Sequence, residues 1–115
     1  MINGFWTVAF QAPGDAGAGV VAINNNEIMG GDTSFSYVGP ITKTDDGSIA
    51  GNLHIKRHSD LLPSLIPGKD DYFLHVSGKV VGDSFTLTGR FTDGPSPHPT
   101  IAIQGKRRLP VLGRD

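Results

Sequence analysis

The chain of 115 residues contains no cysteine. Disulfides, thiolate metal sites and thiol nucleophiles are therefore excluded together, and a reducing compartment, the cytoplasm, is the expected location. Long apolar runs are missing as well: nothing approaches the roughly 18 uninterrupted apolar residues of a membrane-spanning helix. Met1-Ile2-Asn3-Gly4 carries neither a basic region nor an apolar stretch of the targeting kind. A soluble protein with no membrane association is expected. Nor does one sign of charge dominate. Ten Lys and Arg stand against eleven Asp and Glu, interspersed along the chain. A broad basic face that would neutralise a row of phosphates is absent, which disfavours direct nucleic-acid binding. The one basic cluster, Lys106-Arg107-Arg108, is short.

Glycine and proline, in contrast, are plentiful: 16 and 8 residues, too many for a helical domain and dispersed as repeated turns require. A chain of this length buries roughly two thirds of its unfolded surface, enough for one core, so residues 1–115 are read as a single domain.

Alternation supplies the strands. In Phe5 to Gln11, Trp6, Val8 and Phe10 share one face, and Thr7, Ala9 and Gln11 the other. Gly17 to Ile23 is apolar on both faces, and Asn24-Asn25-Asn26 tolerates the positive φ of a hairpin turn. Shorter strands follow at Glu27 to Gly30 and Phe35 to Ile41, with a bend at Gly30-Gly31-Asp32. The second half is clearer: Ile49, Gly51, Leu53 and Ile55 face one way, as do Leu74, Val76, Gly78 and Val80; then Phe85, Leu87, Gly89 and Phe91; then Ile101, Ile103 and Gly105. An inward glycine marks a bend or a close backbone approach, which is how a sheet coils shut. The expected fold is all-β, an antiparallel up-and-down barrel of about eight strands with at most one short helix. That helix is placed at Ser59 to Ile66, where Leu61, Leu62, Leu65 and Ile66 share a face and Pro67-Gly68 ends it. It is expected to act as a lid over one barrel mouth or to supply the contact of a homodimer.

Gly4-Phe5-Trp6 resembles the G-x-W signature of the calycin barrels, which include the lipocalins and fatty-acid-binding proteins. The resemblance implies an arginine or lysine of the last strand stacked on the tryptophan, and Lys106, Arg107 and Arg108 occupy that stretch. A plain core role for Trp6 is the other reading. Most of the chain is also similar to the GrlR-like family, small bacterial proteins named for a negative regulator of type III secretion genes. The similarity runs through the glycine-aromatic opening strand and the Gly-rich strand Gly17 to Asn24. It continues through Ile28, Gly30-Gly31-Asp32, Tyr37-Val38-Gly39 and the basic strand His54-Ile55-Lys56-Arg57-His58.

What this similarity implies is a lipocalin-like barrel that acts in transcription regulation by binding and blocking a protein partner, a helix-turn-helix activator. In the founding regulator the contact is an acidic E-D-E-D loop. The matching loop here reads Lys43-Thr44-Asp45-Asp46-Gly47, with two of the four acids. Asp45 and Asp46 are therefore the expected partner-binding residues, against the alternative that they are ordinary turn residues.

No G-x-S-x-G elbow or P-loop ending occurs, and neither an enzyme nor a cofactor site is expected. His54, His58 and His75 would hold a metal only if His75 met one of the others across strands, since strand residues four apart are ~13 Å apart; no metal is expected. The second function is small apolar ligand binding within the barrel, lined by Trp6, Val8, Phe10, Leu53, Ile55, Leu74, Val76, Phe85, Leu87, Ile101 and Ile103. Aromatic rings would fill much of that interior, while Gly51, Gly78, Gly89 and Gly105 would open space. An empty apolar cavity favours the ligand; an exposed apolar patch beside Asp45 and Asp46 favours the partner.

Overall fold

The computed structural model describes residues 2–12, 15–59, 70–91 and 100–108. They form eight strands: β1 (Gly4–Ala12), β2 (Asp15–Asn24), β3 (Glu27–Gly31), β4 (Phe35–Lys43), β5 (Ser48–Arg57), β6 (Asp71–Val81), β7 (Ser84–Phe91) and β8 (Ile101–Arg107). Each pairs antiparallel with the next, and β8 returns to β1 from Trp6↔Arg107 to Gln11↔Ala102, so the sheet is a closed up-and-down barrel with no free edge. Among the described residues there is no helix. The segment expected to be helical, with Leu61, Leu62, Leu65 and Ile66, lies outside them, as does the lid or dimer contact it would make.

Alternation dictates which side chains fill the interior. β7 reads exposed–buried without a break from Ser84 to Phe91, and β8 does the same from Ile101 to Gly105. The core is one cluster containing Trp6, Val21, Ile41, Val76 and Leu87, and fully burying each such side chain is worth about 1.5–3 kcal/mol. The turns follow from their residues: Asn25 and Asn26 adopt φ of 53° and 63°, the pair of positive values that a two-residue hairpin of right-handed twist needs.

The inward glycines differ from expectation in what they allow. At Gly105 a Cβ would lie 2.2 Å from the Phe85 ring, so the missing side chain is replaced by its neighbour's ring rather than by a void. At Gly78 a Cβ would lie 1.8 Å from the carbonyl oxygen of Thr86. There the wall is coiled so tightly that backbone meets backbone.

The barrel has two unlike ends. One holds the start of β1, the end of β8 and the short turns 25–26, 44–47 and 82–83. The other holds the ends of β1, β3, β5 and β7, the starts of β2, β4, β6 and β8, and the bend 32–34. The first end is plugged. Trp6 is fully buried, its indole Nε1 donates to the Ile2 carbonyl at 3.0 Å, and the Arg107 guanidinium lies 4.9 Å from its ring centroid. Of the three basic residues offered by the sequence, Arg107 is the one that stacks on the tryptophan.

Candidate functional site

Toward the other end, the described residues line an apolar cavity of about 70 Å³. That volume is about half the ~150 Å³ that admits benzene in an engineered protein core. Of the interior residues expected from sequence, all but Trp6 and Val76 line it; those two are buried in the wall around it. The aromatic residues Phe10, Phe35, Tyr37 and Tyr72 surround the mouth together with one carboxylate, Asp32.

This cluster is assembled by the bend between β3 and β4. Asp32 Oδ1 accepts the backbone N–H groups of Ser34 (2.9 Å) and Phe35 (2.8 Å), and the Tyr37 hydroxyl donates to Oδ2. Burial first, then the hydrogen bond to Asp32 and the charge of that carboxylate, hold the Tyr37 phenol far above its ordinary value. Tyr72 comes from the start of β6. Burial, then the charge of Asp32, push its phenol up to about 12. Its hydroxyl has no hydrogen-bond partner among the described residues, although the side chain is 6 % exposed. An unpartnered polar group at that depth is costly unless something else meets it. Edge-to-face contacts fix the rings: Phe10 on Tyr37 at 5.4 Å and Tyr72 on Phe91 at 5.2 Å.

Arg57, at the end of β5, lies 4.8 Å from the Phe35 ring centroid and donates to Asp70 Oδ1 at 2.8 Å, tying β5 to the approach to β6. His58 Nε2 sits 3.0 Å from the Asp32 carbonyl oxygen. The histidines are thus engaged separately: His54 Nε2 with Asp71 Oδ1 at 2.5 Å, and His75 Nδ1 with Asn52 Oδ1 at 3.1 Å. His75 faces Asn52 and not a histidine across the β5–β6 ladder. Among the described residues no group of three or more His, Asp or Glu is placed to share an ion.

The acidic loop lies at the plugged end, away from the cavity. Its two acids differ. Asp46 Oδ1 accepts the Thr44 hydroxyl at 2.5 Å and the Ser48 N–H at 3.0 Å, so its carboxylate is turned into its own loop, and those bonds, Thr44 first, hold its carboxyl well below the usual carboxylate range. Asp45 is exposed and makes no such contact. The expected pairing of both acids as a binding element therefore meets a loop in which Asp46 also serves the turn.

Register reveals a surface that alternation in single strands does not. The partners Phe5↔Ala22, Ala22↔Met29, Met29↔Val38, Val38↔His54 and His54↔Phe73 run across β1 to β6 as one outward row. Phe5, Met29, Val38 and Phe73 are all exposed, and His54 stacks on Phe73 with centroids 4.5 Å apart. The row crosses the middle of the β4–β5 ladder, not the acidic loop. Sequence reading missed it, and it also missed Asp32, Tyr37 and Tyr72 as site residues; the bend residue Asp32 followed by an inward Tyr37 was the available signal.

No protein-family model and no curated protein matches the chain.

Proposed function

We propose that this protein is a non-catalytic binding protein that takes a small, largely apolar molecule into the interior of its barrel. The single observation that carries the reading is the cavity itself: apolar walls closed at one end by Trp6 and Arg107, with a few convergent polar groups confined to the mouth. Binding sites for small molecules combine these same two elements. The test is a titration of the isotope-labelled protein with 1-butanol followed by amide NMR. Saturable shifts at Leu53, Tyr72 and Ile103 are expected; shifts confined to outward residues such as Met29 and Val38 would refute it.

A second reading, binding and blocking of a protein partner such as a transcriptional activator, is favoured by a different observation. The exposed row from Phe5 to Phe73 is an apolar surface of the kind that partners cover, and the Asp45 carboxylate is free to face a basic one. Exchange of Met29 and Val38 for Ser should weaken such a complex at unchanged thermal stability. Equal binding by that variant would remove the surface from consideration.

A further inference from the structure

The mouth carries more chemical information than its apolar walls. Among the described residues that line the cavity, Asp32 is the one charged group. Arg57, at the end of β5, is paired with Asp70. Asp32 Oδ1 is occupied by two backbone N–H groups, whereas Oδ2 accepts only the Tyr37 hydroxyl and keeps acceptor capacity. Tyr72, turned toward the same space, has a phenol oxygen with no partner among the described residues. Around these two acceptors stand the rings of Phe10, Phe35, Tyr37 and Tyr72.

We propose that the mouth recognises an alkylammonium ion, its cation seated between Asp32 and the aromatic rings and its alkyl chain in the cavity. This rests on the ligand-binding reading above and names the class of ligand. The ammonium supplies three donors. One goes to Asp32 Oδ2, one to the Tyr72 oxygen, and the third points out of the mouth to water. The π systems of Phe10, Tyr37 and Tyr72 attract the cation as aromatic rings attract ammonium groups elsewhere, Phe35 being already engaged by Arg57, and the partly apolar surroundings strengthen that attraction relative to water. A carboxylate ligand meets Asp32 with like charge and is rejected. The size of the cavity limits the buried part to a short chain of a few carbons.

The test compares three probes of nearly equal length, butylammonium, 1-butanol and butyrate, by amide NMR titration of the full chain at one pH and ionic strength. Butylammonium is expected to bind about tenfold tighter than 1-butanol, with butyrate weakest. Asp32→Asn keeps an acceptor for Ser34 and Phe35 but loses the charge, so it should erase the difference in affinity between the ammonium and the alcohol. Tyr72→Phe, which preserves the ring, should weaken butylammonium more than 1-butanol and serves if the Asp32 variant does not fold. Equal or tighter binding of 1-butanol by the native protein would overturn the ammonium assignment and leave the cavity reading standing. Binding of none of the three would overturn both.

Discussion

The guanidinium of Arg107 lies 4.9 Å from the ring centroid of Trp6 and joins the first and last strands across the β1–β8 seam. The same side chain donates from Nε to Asp83 Oδ1 (2.9 Å) and from Nη1 to the Asn3 carbonyl (2.8 Å). It thus fastens the β6–β7 turn and the start of β1 onto the plug. Arg107→Ala should lower stability by about 2–4 kcal/mol in urea unfolding and shift the Trp6 fluorescence to the red. Arg107→Lys should recover only part of the loss, because an ammonium cannot stack and form the planar fork at once.

Gly105 and Gly78 make opposite predictions for rescue. Gly105→Ala places a methyl on the Phe85 ring and should cost about 1–3 kcal/mol. Adding Phe85→Leu, which removes that ring, should make the double variant less unstable than the sum of the two single changes. Gly78→Ala drives its methyl into the Thr86 carbonyl oxygen, and no side-chain exchange relieves it. Urea titrations of the four variants decide whether ring replacement and backbone approach are distinct devices.

The protein has two tyrosines, and both phenols are held above the ordinary value of 10.0. A group whose folded value is raised gives stability that is complete below the unfolded value and is lost as pH climbs toward the folded one. Stability should therefore be flat with respect to these groups up to about pH 10 and fall between about pH 10 and 12. Tyrosinate absorbance should rise together with the loss of barrel circular dichroism. Normal ionisation of both phenols near pH 10 in a folded barrel would contradict the buried mouth.

Much of the wall was legible in the sequence because period-two alternation is a property of single strands: Leu74, Val76, Phe85, Leu87, Ile101 and Ile103 are inward as their spacing demands. Closure was legible only indirectly, through the repeated inward glycines. The row from Phe5 to Phe73 was not legible, because it depends on which residue of one strand faces which of the next, and register is fixed by turn geometry and closure that no single strand encodes. The mouth was half legible. Its apolar lining follows from alternation, but Asp32 and Tyr37 meet through a bend, and Tyr72 joins them from two strands away through the register Tyr37↔Ile55 and Ile55↔Tyr72.

Within the acidic loop the two aspartates should separate cleanly. Asp46→Asn weakens the acceptor of the Thr44 hydroxyl and the Ser48 N–H and should lower the melting temperature, whereas Asp45→Asn should leave it unchanged. Because the folded Asp46 carboxyl is held below its ordinary value of 3.8, its contribution is present above about pH 4 and disappears as pH falls below that. Melts at neutral and strongly acid pH should show a smaller acid loss in Asp46→Asn than in the native protein. Equal acid loss in both would assign that sensitivity to other groups.

The most direct test of a ligand-accepting barrel is an isotope-filtered nuclear Overhauser measurement on the native protein with excess butylammonium. The prediction is contact between the alkyl protons and the methyls of Leu53, Leu74 and Ile103, with the carbon next to nitrogen nearest the Tyr72 ring. Contacts only to Met29, Val38 and Phe73 would place the molecule on the outer wall and contradict the account.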